Sequence, residues 1–549
     1  MMIRLLAFLL LVLSGQGAAA SPVRFSVTVP PALVQGEPPT GRLLVVLTRD
    51  AGREPRLQMT RNGPAVIGMD VPKLAAGQPI VLDDRATASP AIEGLAAGTY
   101  YAQAVFVPYE RMKRQDGHVV WVPNASERRP LMQLPGNLYS MPVRVDLDPA
   151  AGGVVPLELS RTVEASPPPV DTEWIKHIRI ESRLLSEFWG RPMYLGATVV
   201  VPRGWNDKSE KHYPILYHMS PGQDASRPYQ FNPDPVTGSR SFGPEVNIQT
   251  GHDFYKSWIS DGFPSILLAT IIQPTPYFLE GYAVDSANNG PVGRAIVEEL
   301  MPAIEKRFRA LGTPETRIVQ GLSTGGWEAL ALQVKYPDFF GGVWTFNPDP
   351  IDFRRFIASD IYADSNAFSV PYNDWYSLER PFQRSIEGQT VQTMRELSLR
   401  EAALGSRGRS GSQLDAWNAA FGPVGPDGYP GELWDKKTGR LEPNVAAYMR
   451  AEGYDLTDYI RRNWSVLGPK LAGKIHLISA DMDEYHLNLS VSGFIDMIRE
   501  KGGEAYPIRI VYGRRKGHDW HHVDYAEMIR EVAGHIGGKR PDRTLVEIH

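Results

Sequence analysis

Ser323 lies in Gly321-Leu322-Ser323-Thr324-Gly325-Gly326, a G-x-S-x-G pattern in which glycines leave room for a tight turn around a hydroxyl. A serine hydroxyl is a useful nucleophile only when a base takes its proton and a carboxylate orients that base. Later in the chain come Ala480-Asp481-Met482-Asp483-Glu484-Tyr485 and Gly517-His518-Asp519-Trp520-His521-His522. The order Ser, Asp, His is one in which such triads occur. His518 is the expected base, as the first histidine after the last core strand. Asp483 is the expected acid because it lies deeper in its loop, with Asp481 and Asp349 as the competing carboxylates. The Thr324 N–H, at a helix N-terminus, is the expected first oxyanion donor. The second is expected near Gly222 in His218-Met219-Ser220-Pro221-Gly222, where Pro221 has no N–H and Ser220 or Gly222 does. Three histidines, His518, His521 and His522, also suit a metal. However, H-E-x-x-H is absent and no further ligand is evident, so neither a metal nor a cofactor is expected. Trp327, Glu328 and His486 flank the proposed triad in sequence. With Asn288, from Asp285-Ser286-Ala287-Asn288-Asn289, they are the expected substrate-lining residues.

These residues need elements to hold them. Arg317–Gln320 reads as a strand entering the elbow, and Trp327–Tyr336 as the helix leaving it, stopped by Pro337. Pro214–Tyr217, Ser265–Ile272, Gly342–Phe346, Lys474–Ser479 and Pro507–Tyr512 are further strands, and Arg294–Arg309 is helical. Near-continuous apolar strands separated by helices predict a mostly parallel sheet covered on both faces, with the site at the strand ends. Between residues 361 and 469 the alternation stops. This polar stretch contains Trp375, Trp417, Trp434 and Trp464 and the turn-rich Gly422–Gly428, and reads as a cap-like insertion over a pocket. Residues 21–160 alternate with a period near two, as in Val23–Val29 and Val143–Leu147, and predict an Ig-like antiparallel β-sandwich. A Pro-rich linker at 161–173 separates it from an α/β catalytic domain at 174–540.

Residues 1–20 have the order of a signal peptide: Arg4, an apolar run from Leu5 to Leu13, then Ala18-x-Ala20. That run is too short for a stable membrane anchor. The 549 residues contain no cysteine, which removes disulfides, thiolate catalysis and cysteine metal sites. A formal charge of -4 with no basic stripe argues against a nucleic-acid partner. An exported, cysteine-free chain points to a periplasmic or secreted protein.

With these motifs the chain resembles the putative-esterase family of α/β-hydrolases, which includes esterase D, enterochelin-type, feruloyl and acetylxylan esterases and mycolyltransferase antigens. The resemblance rests on Tyr213–Tyr217, Glu298–Glu305, Gly321–Gly326 with Trp327, Asp483, and Gly517–Trp520, within about residues 190–540. It implies an α/β-hydrolase fold and a Ser323–His518–Asp483 triad, favouring Asp483 over Asp481. The front domain looks like the β-sandwich modules that precede enterochelin-type members. The chain departs from the family at His218-Met219-Ser220-Pro221-Gly222, where His-Gly is common, and in the Trp-rich insertion. The expected function is that of a secreted serine hydrolase cleaving a small-molecule or glycan carboxylic ester through an acyl-enzyme. Two alternatives are acyl transfer to a sugar or glycan hydroxyl, and an inactive carbohydrate- or envelope-binding protein.

Overall fold

The computed structural model describes residues 23–549 apart from 84, 125–126, 209, 221–227 and 240–248. The expected leader and Gly222 lie outside the described residues. No helix among the described residues is long and apolar enough to cross a membrane.

The front domain is a curled ten-stranded sheet in which the first and last strands, Val23–Thr28 and Gly153–Thr162, are neighbours and run parallel while the other pairs are antiparallel. Its strand Gly41–Thr48 is buried along its whole length. Leu43, Val45 and Leu47 face the interior with Phe25, Ile67 and Phe106. Leu44 and Val46 face the other way, into a second cluster with Val105, Val107 and Ala403. Both faces of that strand are therefore core, which is why Leu43–Leu47 is a continuous apolar run rather than an alternation.

The second large sheet comprises β1 (Ile175–Ser182), β2 (Met193–Val200), β3 (Ile215–Met219), β4 (Leu267–Ile272), β5 (Arg317–Leu322), β6 (Gly342–Phe346), β7 (Ile475–Ala480), β8 (Arg509–Gly513) and β9 (Leu545–Ile548). Their order is β1-β2-β4-β3-β5-β6-β7-β8-β9. The pairs β1–β2 and β2–β4 are antiparallel and the rest are parallel. The side chains of β3 and β5 alternate between a cluster holding Tyr217, Met219 and Val319 and one holding Leu216 and Ile318. The sheet is thus covered on both faces, as an α/β-hydrolase fold requires.

The insertion leaves the sheet after β6 and returns at β7. Its helix α1 (Met394–Leu404) starts with a capping box between Thr393 and Glu396. The helix lies on the front domain rather than standing free. Arg42 donates to the carbonyls of Ala402 (2.9 Å) and Ala403 (2.7 Å), the last turn of α1. Arg400 donates to Thr60 O and Pro64 O, both at 3.0 Å. A Cβ on Gly68 would sit 2.0 Å from Ala403 O and 2.8 Å from a Leu44 methyl. Gly68→Ala is therefore expected to push the helix off the sandwich at a cost of about 1–3 kcal/mol. A lowered melting temperature, with new proteolytic cleavage between residues 394 and 421, is the expected readout; an unchanged melting curve would show that the docking adds nothing.

Candidate active site

Ser323 sits between β5 and the helix α2 (Thr324–Lys335), with φ 59° and ψ −124°. A non-glycine residue rarely adopts this backbone, and the conformation persists because its surroundings over-determine it. Ser323 N–H donates to Phe346 O (3.0 Å) and its carbonyl accepts from Trp327 (3.0 Å) and Asp349 (3.1 Å). The neighbouring glycines are steric necessities. A Cβ on Gly321 would meet Gly325 O at 2.1 Å, and one on Gly326 would meet Phe346 O at 2.7 Å. Thr324 is the first residue of α2, so its N–H is one of those that a helix leaves without an internal partner.

Asp483 and His518 come from the loops after β7 and β8. His518 Nδ1 lies 2.6 Å from Asp483 Oδ2. A carboxylate can only accept, so Nδ1 carries the proton and Nε2 is left basic. Asp483 is fully buried, and its Oδ1 accepts from the N–H groups of Tyr485 (2.8 Å) and Leu487 (3.2 Å). Both carboxylate oxygens are held, which fixes the imidazole plane. Burial depresses the His518 pKa, but the charge and hydrogen bond of Asp483, with the charges of Asp519 and Asp349, outweigh it. The net effect is a pKa above the ordinary histidine value of 6.5. Asp481 is exposed and caps Arg515 N–H at 2.6 Å. His521 and His522 bond to Asp519 O (3.0 Å) and the Glu531 carboxylate (3.0 Å), and burial lowers the His521 pKa to about 4.

Asp349, from the loop after β6, stands beside Ser323. Ser323 Oγ donates to its Oδ1 at 3.3 Å. Its Oδ2 accepts from Tyr282 OH (2.8 Å), Thr324 Oγ1 (2.9 Å), Gln413 Nε2 (3.2 Å) and Trp417 Nε1 (3.3 Å). Gln413 and Trp417 lie on α3 (Gln413–Phe421) of the insertion, which therefore forms a wall of the site. Tyr282 and Gln413 carry no motif; only their distance in space from Ser323, not in sequence, marks them.

A second buried cluster adjoins this one. Arg128, from the front domain, donates to the carbonyl of Ser220 and lies 3.1 Å from Glu280 Oε2. Burial raises the pKa of Glu280 and of Glu328, and the charge of Asp349 adds to both shifts. Glu328 accepts from Gln273 at 2.8 Å. Trp327 is fully buried between Tyr282 and Phe421, with ring centroids 5.7 and 4.7 Å away. Asn288 donates to Gly422 O at 2.8 Å, tying its loop to the insertion. His486 is the left-handed N-cap of α4 (Leu487–Gly502), and burial lowers its pKa to about 4. Of the four tryptophans in the insertion, Trp417 reaches the site. Trp434 donates to Ser398, Trp464 packs on Tyr506, and Trp375 is exposed.

The stretch that carries the elbow matches a known family. A family model described as Putative esterase covers residues 288–384, which bears out the resemblance read from the motifs. That segment contains Asn288, Ser323 and Asp349 and stops before Asp483 and His518. No curated protein matches the chain. Among solved structures, a ferulic acid esterase is similar over 66% of this chain and 98% of its own, at 16% identity and a TM-score of 0.36. An S-formylglutathione hydrolase from Agrobacterium tumefaciens is similar over 67% of this chain and 97% of its own, at 12% identity and a TM-score of 0.35. The fluorophosphonate-binding serine hydrolase FphF of Staphylococcus aureus is similar over 66% of this chain and 98% of its own, at 12% identity and a TM-score of 0.32.

Proposed function

We propose that the protein is an exported serine hydrolase that cleaves a carboxylic ester through an acyl-enzyme. The observation that carries this reading is the 2.6 Å contact between Asp483 and His518 on the loops flanking a strained serine elbow. The esterase family match over the elbow supports the same reaction class. In the reaction, Ser323 Oγ leaves Asp349 and attacks the ester carbonyl while His518 Nε2 takes its proton. Asp483 holds the imidazolium that forms. N–H groups at the start of α2, Thr324 first, stabilise the tetrahedral oxyanion, with a second donor from the loop near Gly222. His518 then protonates the leaving alcohol, and water repeats the sequence to free the acid. Catalytic hydrogen bonds are often long or misaligned in the absence of substrate, so the 3.3 Å Ser323–Asp349 bond is compatible with this role.

A fluorophosphonate probe should modify the wild-type chain at Ser323, located by peptide mapping, and an ester panel should reveal turnover. Probe attachment elsewhere, with no ester turned over, would overturn the proposal. The pH profile gives an independent check. The base works only when neutral, and Asp483 raises its pKa, so kcat/KM should fall on the acid side through an apparent pKa above 6.5. An acid limb well below 6.5 would count against His518 as the base.

A further inference from the structure

Between the front domain and the insertion lies a cavity of about 210 Å³. Met59, Leu131, Met132, Leu279, Leu397 and Leu404 supply apolar wall. Three arginines, Arg56, Arg61 and Arg400, and one acid, Glu401, also line it. Their charges do not balance across the cavity. Arg56 is paired with Glu54 at 2.8 Å. Arg400 donates to backbone carbonyls, and burial without an opposing carboxylate lowers its pKa to about 10. Arg61 donates to a neutral partner, Gln413 Oε1, at 3.2 Å. Glu401 is the one acid in the lining, and its carboxylate is already occupied, accepting from the N–H groups of Leu414 (2.8 Å) and Asp415 (3.0 Å) and from Ser410 Oγ (2.9 Å). The cavity is apolar along its length with excess positive charge.

Its wall is linked to Ser323 through Gln413 and Asp349. Gln413, a lining residue, donates to Asp349 Oδ2, and Asp349 Oδ1 accepts from Ser323. Arg61 stacks 4.8 Å over the Tyr485 ring, which in turn meets His518 edge-on at 4.9 Å. Asp349 disfavours an anion close to the scissile bond, whereas Arg61 and Arg400 favour one farther along. Resting on the esterase reading, we infer that this interdomain cavity receives an apolar arm of the ester substrate and that the arm ends in a carboxylate held by Arg61. A guanidinium is suited to this because its planar fork matches a carboxylate in two parallel hydrogen bonds.

The test compares p-nitrophenyl esters of succinate, glutarate, adipate and suberate with the same esters capped as methyl esters. In the wild type, one or more carboxylate-ended members should exceed the capped counterpart by about tenfold in kcat/KM, carried by KM; tenfold corresponds to about 1.4 kcal/mol. Arg61→Gln should abolish that ratio and Arg61→Lys should retain part of it, so the readout is charge preference rather than overall activity. No preference in the wild type, or a ratio unchanged in Arg61→Gln, overturns the inference. Failure of the esterase reading is separable: neither series would turn over and Ser323 would not be labelled. Calorimetry of the full chain with free suberate then decides. Binding that is lost in Arg61→Gln supports the cavity's charge selectivity, and absence of binding overturns it.

Discussion

Ser323→Ala should lower kcat by on the order of 10⁶ and remove fluorophosphonate labelling altogether. Among the described residues, the hydroxyls beside Ser323 are already engaged. Thr324 Oγ1 is committed to Asp349 Oδ2 at 2.9 Å, and Tyr282 OH to the same oxygen at 2.8 Å. The substitution deletes only the 3.3 Å bond to Asp349 Oδ1, leaving four donors on Oδ2. Alanine at the same positive φ is strained as serine is, so the fold should survive with a similar melting temperature. That separates loss of chemistry from loss of structure. Full labelling of the folded Ser323→Ala chain would sink the assignment of the nucleophile.

The elbow was legible in the sequence because local sterics dictate it. The glycines at 321 and 326 exist to avoid backbone collisions, and a strand and helix of ordinary apolar pattern flank them. The parallel sheet was legible for a similar reason, since two-sided burial writes continuous apolar runs such as Ile215–Met219. The same rule was available for Gly41–Thr48, whose unbroken apolar run Leu43–Leu47 signals a second packed face. What covers that face is helix α1, more than 300 residues later in the chain. No local pattern encodes such a pairing. The docking is made by arginines reaching main-chain carbonyls, Arg42 to Ala403 and Arg400 to Thr60, and carbonyls have no sequence identity. The surroundings of Asp349 were illegible for the same reason. Its partners Tyr282, Gln413 and Trp417 come from three segments that meet only in the folded chain. As a consequence, the insertion supplies Gln413 and Trp417 beside Ser323, and the front domain reaches the adjoining buried cluster through Arg128.

Asp483→Asn should lower kcat by on the order of 10⁴, the expected cost of mis-setting the histidine tautomer. Asp483 Oδ2 accepts the Nδ1 proton of His518, while Oδ1 is occupied by the N–H groups of Tyr485 and Leu487. Asparagine can keep its carbonyl oxygen toward those two N–H groups only by turning its amide toward His518. The amide donates, so Nδ1 must accept and the proton moves to Nε2, the atom that has to receive the proton from Ser323. The imidazole then starts in the wrong form, and the imidazolium formed in the reaction has no anion beside it. The pH profile should change as well. Losing the neighbouring charge leaves burial as the main influence on His518, so the acid limb should move downward in Asp483→Asn. Asp481→Asn is the matched control. Asp481 is exposed and caps the Arg515 N–H, so its replacement should change kcat by less than about threefold, within the small range of surface substitutions. If the two variants exchanged effects, Asp481 would be the catalytic acid, and the buried 2.6 Å contact of Asp483 would be structural.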